Sequence, residues 1–175
     1  MDYKIELKNV KIYESLSEET NCFKSNLYIN GKLVGYCENL GHGGSTFVNG
    51  KDKESCDLID KVDEWCKKNP IKVEVCGLLY TSDSLESRVD DIIDQKIIEK
   101  EDKKIEKKCI SNLCFTKTKE GETVNSYNVL SWKNAKISDM LINPKGREAI
   151  SKTIKSELSK GYRLLNKNIP QELYK

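Results

Sequence analysis

Two stretches of alternating polar and apolar residues, 21–29 and 32–38, meet at Asn30-Gly31. A two-residue connection of this kind calls for a type I′ turn, in which both central residues take positive φ, and Asn-Gly adopts it most readily. The two stretches are therefore read as adjacent antiparallel strands. Counting outward from the turn pairs Leu27 with Val34 and Ser25 with Tyr36, so Phe23, Leu27, Ile29, Val34 and Tyr36 share the face assigned to the core. Gly35 has no side chain and leaves room for a close neighbour on the opposite face.

The rest of the chain is organised around that hairpin. Residues 4–14 alternate through Ile5 and Leu7 and then, one step out of phase, through Val10 and Ile12; a β-bulge near Asn9 explains the slip. Residues 54–68 set Leu58, Ile59, Val62, Trp65 and Cys66 at helical spacing and stop at Asn69-Pro70. Ile71, Val73 and Val75 form a short strand. A second helix starts at Ser82-Asp83-Ser84, with Asp83 and Glu86 spaced as a capping box, and runs to Cys109 on a thin stripe of Leu85, Val89, Ile92, Ile93, Ile97 and Ile105. Its early Asp90, Asp91 and Asp94 and its late Lys103, Lys104, Lys107 and Lys108 follow the order that the helix macrodipole favours, and the aspartates read as a solvated face.

Residues 113–118 and 127–132 flank Glu120-Gly121-Glu122 as a second hairpin, and a helical turn follows at 138–142. Asn143-Pro144 supplies an N-cap and a first-position proline for a last helix carrying Ala149, Ile150, Ile154, Leu158 and Leu165, with Gly161 as its weak point. The tail from Lys167 is expected to be loose or laid on the surface. Neighbouring strands rule against repeated βαβ units. The expected architecture is one α+β domain over 1–175, an antiparallel β-meander with hairpins and three main helices packed mainly on one face. Its parts are a meander and glycine-rich loop (1–50), helix-strand-helix (54–109), the second hairpin (111–132) and a C-terminal helical region (138–175).

Thirty basic and 28 acidic residues leave a net charge of +2, so no long-range field recruits nucleic acid or an anionic membrane. No run of about 18 apolar residues occurs, and the first ten residues lack a basic stub followed by an apolar core. A cytoplasmic protein without a membrane segment is expected. The seven cysteines are odd in number and none stands in a Cys-x-x-Cys pair. They read as reduced thiols used as small hydrophobes, with Cys66, Cys76 and Cys109 on or beside apolar stripes.

One segment departs from what folding alone would select. Asn39, Gly41, His42, Gly43, Gly44, Ser45 and Thr46 form a glycine-rich loop that would present backbone N–H groups, two hydroxyls and a histidine to a phosphate or nucleotide, or that simply connects strand to helix. Neither a P-loop nor a dinucleotide fingerprint is present. His42-Gly43-Gly44 is similar to the oxyanion loop of esterases, but no Gly-x-Ser-x-Gly elbow accompanies it. His42 is the only histidine, and the cysteine spacings make no zinc pattern, so neither a catalytic residue nor a metal ligand nor a cofactor is assigned. Residues 144–168 hold seven basic residues against two acidic ones. Lys145, Arg147, Lys152, Lys155, Tyr162 and Arg163 are the candidate contacts for single-stranded nucleic acid, against the alternative of a solvated helix face.

The segments Leu16-Ser17-Glu18-Glu19-Thr20, Leu27-Tyr28-Ile29-Asn30-Gly31-Lys32, Gly41-His42-Gly43-Gly44-Ser45-Thr46, Asn143-Pro144-Lys145-Gly146-Arg147 and Asn166-Lys167-Asn168-Ile169-Pro170 resemble a recurring pattern in small uncharacterised proteins of phages, plasmids and conjugative elements. The resemblance covers most of the chain and implies a mobile-element setting in a bacterial host cytoplasm, with no activity attached. The leading expectation is a non-enzymatic accessory protein that binds a host or defence-system component through the glycine loop and its flanking hairpin. The alternatives are a nucleotide or phosphate binder or enzyme using loop 39–46, and a single-stranded nucleic-acid binder using the basic C-terminal helix.

Overall fold

The computed structural model describes residues 2–75, 78–133 and 135–174. It is an α+β protein of antiparallel sheets and helices, gathered into two compact units, Met1–Ile97 and Ile98–Lys175. Cys76, read above as beside an apolar stripe, lies outside the described residues.

The first unit is built on a four-stranded antiparallel sheet in the order β1 (Ile5–Ile12), β2 (Phe23–Ile29), β3 (Lys32–Asn39), β4 (Phe47–Gly50). The bulge in β1 is where the alternation slips: Asn9 has φ +54 and the pairing shifts between Lys8 and Lys11. Asn30 and Gly31, at φ +51 and +79, make the two-residue turn. Next to the turn the register is the expected one, with Ile29 opposite Lys32 and Tyr28 opposite Leu33.

Beyond Tyr28 it is not. A second bulge inserts Val34, so Leu27 pairs with Gly35, Asn26 with Tyr36 and Ser25 with Cys37. Because side chains alternate, one inserted residue exchanges the faces of everything that follows it. Val34 stays buried, Cys37 takes the core position expected for Tyr36, and Tyr36 turns outward at 48% exposure. The close neighbour of Gly35 is β4: a Cβ there would stand 1.8 Å from the Asn49 carbonyl oxygen.

The inner face of the sheet is covered by α1 (Lys53–Lys68) and the first half of α2 (Leu85–Ser111). Leu7, Phe23, Leu27, Ile29, Val62, Cys66, Val89 and Ile93 form its centre, and each large side chain buried this way contributes about 1.5–3 kcal/mol. Asp52 caps α1 by accepting from the Ser55 N–H at 2.8 Å. The cap of α2 is not the expected Asp83–Glu86 box. Ser84 and Ser87 exchange bonds instead, Ser87 N–H to Ser84 Oγ and Ser84 N–H to Ser87 Oγ, both at 3.0 Å, which frees Glu86 for another partner. Between the helices, β5 (Ile71–Val75) pairs with β6 (Leu78–Ser82), a strand that the sequence reading did not include.

In the second unit β7 (Leu113–Thr116) lies between β8 (Asn128–Leu130) and β9 (Arg163–Leu164), both antiparallel to it. The hairpin of β7 and β8 is the second one expected. Leu113, Phe115, Ile150 and Ile154 are fully buried with α3 (Ile137–Ile142) and α4 (Pro144–Ser159). Asn143 caps α4 by accepting from the Gly146 N–H at 2.7 Å.

That helix does not reach Leu165 as expected. α4 stops at Ser159, Gly161 takes φ +82, and the chain reverses into β9. The tail is not loose either. Ile169 and Leu173 are core residues of this unit, and the buried Asn166 side chain is its main tether. The Asn166 Oδ1 accepts from Cys114 N–H at 2.8 Å, and its Nδ2 donates to the carbonyls of Cys109 and Asn112, each at 2.8 Å.

Of the described cysteines, 22, 37, 66, 109 and 114 are buried as free thiols and Cys56 is exposed. Burial pushes the Cys37 and Cys109 thiols up to about 12, which keeps them protonated packing groups. No described helix is long and apolar enough to cross a membrane.

Candidate functional site

The glycine loop joins β3 to β4 and is stitched from below. Asn39, buried at the end of β3, is the stitch: its Oδ1 accepts from Gly41 N–H and Thr20 Oγ1, each at 2.9 Å, and its Nδ2 donates to Gly44 O at 3.0 Å and Thr46 Oγ1 at 3.1 Å. The Gly41 carbonyl in turn accepts the N–H groups of Glu18, Glu19 and Thr20. The loop is thus tied both to itself and to the connection between β1 and β2.

Its residues divide into two sets. Asn39, Gly41 and Thr46 are buried and act as bracing, while His42, Gly43, Gly44 and Ser45 face water. His42 Nδ1 lies 3.0 Å from Glu18 Oε2, both side chains being exposed. Several of the N–H groups that an anion nest would use already have partners: Gly41 with Asn39, Gly43 with Thr20 Oγ1 at 3.3 Å, and Thr46 with Glu86 Oε1 at 3.0 Å.

Opposite the loop, α2 contributes what the sequence reading did not assign to this place. Glu86, Asp90 and Asp94 recur every fourth residue, one helical stripe, and line a cleft of about 400 Å³ against Gly43, Gly44 and Thr46. Thr46 Oγ1 donates to Asp90 Oδ1 at 2.6 Å, and Asn21 Nδ2 donates to Asp94 Oδ1 at 2.7 Å. Asp90 and Asp94 are half-buried, so the solvated face expected for them is corrected. The available signal was the four-residue spacing with Glu86, which the dipole explanation and the capping box absorbed.

This arrangement raises the proton affinity of the cleft. Burial pushes the Asp90 carboxyl up to about 6; the Thr46 hydrogen bond opposes this, and Glu86, Asp94 and Asp91 reinforce it. Asp94 is also raised, by burial and by Asp91, against the bond from Asn21. Cys37 of β3 and Tyr80 of β6 are also coupled to Asp90, and both are raised, chiefly by burial, so each is neutral at these pH values.

A carboxyl whose pKa is higher folded than unfolded binds more protons in the native state. Its stabilising effect is therefore complete below the unfolded pKa of about 4 and disappears as pH rises through about 6. Asp90→Asn, which keeps an acceptor for Thr46, is expected to stabilise the first unit at pH 7 by about 1–2 kcal/mol once solvent screening is allowed for, and to flatten its stability between pH 4 and 7. Urea titrations of both proteins across that range check the sign; a destabilised variant at pH 7 would contradict it.

The three carboxylates make the cleft a place for a positive group, a charge opposite to that of a phosphate. Among the described residues no group of three or more His, Cys, Asp or Glu side chains is arranged to hold a metal ion.

The basic candidates of the C-terminal region are not gathered on one helix. Lys145, Lys152 and Lys155 are exposed on α4, but Arg147 pairs with Glu172 Oε1 at 2.8 Å. Tyr162 and Arg163 lie beyond the helix end. The Tyr162 ring sits under Lys117 Nζ at 4.9 Å, and Arg163 donates to the Thr118 carbonyl at 2.6 Å and the Lys119 carbonyl at 3.3 Å. Both arginines are thus occupied in holding the unit together. No protein-family model matches this chain, and neither the curated proteins nor the solved structures yielded a match.

Proposed function

We propose that this chain is a non-enzymatic binding protein of a phage or other mobile element, which engages a host or defence-system protein in the bacterial cytoplasm through the glycine loop and its flanking hairpin. The observation that carries the reading is a loop braced from below yet open above, set against a carboxylate-lined cleft. Exposed apolar residues border it: Leu16, whose carbonyl adjoins Gly41, and Leu40 and Phe47 at the two ends of the loop are 52, 56 and 55% exposed. Exposed apolar side chains offer a partner contact area, and a pre-organised charged cleft beside them adds selectivity for a basic group. A basic side chain of the partner would fill the cleft and meet Glu86, Asp90 and Asp94. The raised Asp90 supports this, since the cleft carries its charge at a cost to folding that a cationic partner would remove.

The test uses Gly44. A Cβ there meets no atom within 4 Å and the backbone is not left-handed, so Gly44→Arg leaves the fold intact while placing a cation in the cleft. Tagged wild-type protein incubated in host lysate is expected to retain a discrete protein, and Gly44→Arg to weaken that capture at least about tenfold. Equal capture by both proteins would refute the reading.

A further inference from the structure

The outer face of the four-stranded sheet is turned away from α1 and the first half of α2, and its residues are not those of an ordinary solvated surface. The bulge at Val34 turns Tyr36 onto this face, opposite Asn26, and the bulge at Asn9 brings Lys11 opposite Lys24. The two irregularities flank a groove of about 680 Å³, bordered by the exposed rings of Tyr13 and Tyr36 and by Lys11, Lys24, Asn26 and Glu38. Phe47, across β3 at the position opposite Glu38, extends the row of exposed aromatics to the sheet edge.

The charges complete the pattern. The carboxylates of this face are already matched, Glu38 by Lys24 and Glu6 by Lys4, each at 3.0 Å. Lys11 and Lys8 make no ion pair with a described residue, and Lys8 Nζ stands 4.2 Å from the centre of the Tyr28 ring. Flat aromatic faces spaced along a sheet, with unmatched lysines between them, suit a ligand that offers stacking bases and phosphates together.

We propose that this sheet face binds single-stranded nucleic acid. Bases stack on Tyr36 and Tyr13, Lys8 and Lys11 meet phosphates, and the Asn26 amide reaches a base edge. The surface is the outer face of the hairpin that flanks the glycine loop; it shares Phe47 with the border of that loop and no residue with α4, and it does not depend on the protein partner proposed above. A duplex, whose bases are already stacked on each other, cannot use the tyrosines.

Fluorescence anisotropy of the full chain with a labelled oligothymidylate of about 12 nucleotides tests this. Tyr36→Ala is expected to weaken binding by about 5- to 150-fold, while Tyr36→Phe retains it. With two phosphates neutralised, affinity falls about sevenfold between 50 and 200 mM salt, and Lys11→Gln flattens that dependence by about half.

Tyr36 is half exposed, and circular dichroism verifies that its variants fold. Equal binding by Tyr36→Ala, equal binding of the duplex, or loss of binding in Lys145→Gln/Lys152→Gln/Lys155→Gln would each overturn the proposal. So would equal affinity for an acidic peptide, which would make this a protein-docking face instead. Gly44→Arg, which tests the glycine loop, is expected to bind the oligonucleotide normally.

Discussion

Asn166→Ala is expected to unlock the second unit, at a cost of about 3 kcal/mol. The buried amide satisfies three backbone groups at once, on α2, at its end and on β7. Removing it leaves the Cys114 N–H without its acceptor in a fully buried strand, and an unsatisfied buried donor alone costs about 1–3 kcal/mol. The Cys109 carbonyl keeps a second donor in Asn168 Nδ2 at 3.2 Å, but the Asn112 carbonyl loses the amide.

Hydrogen exchange resolves the effect by segment. Peptides spanning 113–116 and 163–166 should lose protection by about two orders of magnitude, while those of β2 and β3 in the first unit keep theirs. Uniform protection across the chain would mean that the tether is dispensable. Asn166→Asp is a stricter variant: it keeps an acceptor for Cys114 but removes both donors and adds a buried charge, so it should rescue little.

Gly41→Ala should have an effect of the same size on the first unit, and it connects fold to site. Gly41 has φ +89, and a Cβ there would lie 2.1 Å from the Leu16 carbonyl and 2.9 Å from Cys22 Cβ. Left-handed strain of about 1–2 kcal/mol and overpacking of about 1–3 kcal/mol then act together. The backbone must shift, and the three N–H groups converging on the Gly41 carbonyl lose their common acceptor.

Thermal unfolding of the first unit should begin earlier, and capture of the protein partner should fall with it. Gly43→Ala makes an informative companion. Gly43 is also left-handed, at φ +82, but its nearest neighbour is the side chain of Glu19, which can move aside, so only the strain remains. A Gly41→Ala protein that melts like wild type would remove the bracing role given to this residue.

Much of the first unit was legible because its signals are local. Asn30-Gly31 permits one kind of turn, the phase slip at Asn9 marks a bulge, and the stripe from Leu85 to Ile97 fits one helical face. The second bulge was hidden because Val34 is buried with or without it, and Gly35, which follows, has no side chain to mark a face. The choice fell to residues further on, where the small Cys37 fits beneath the helices and the larger Tyr36 does not.

The same limit governs the site. The loop 39–46 stood out by composition, but its facing wall comes from Glu86, Asp90 and Asp94, 40 or more residues after Thr46, and only the packing of α2 on the sheet brings them there. In the second unit, helical spacing alone makes Gly161 a weak point inside a longer helix. That it ends the helix is settled by the two-residue strand Arg163–Leu164 pairing with β7, a nonlocal preference with no periodicity to announce it.

The placement of the two tryptophans has a practical consequence. Trp65 sits in α1 against the Tyr3 ring, edge to face at 5.7 Å, while Trp132 packs on the core formed by α3 and α4. The intrinsic emission of this chain is therefore a superposition of two local reporters, one for each half. Replacing either indole by phenylalanine converts a composite melting curve into a readout of the other half alone, without any extrinsic dye.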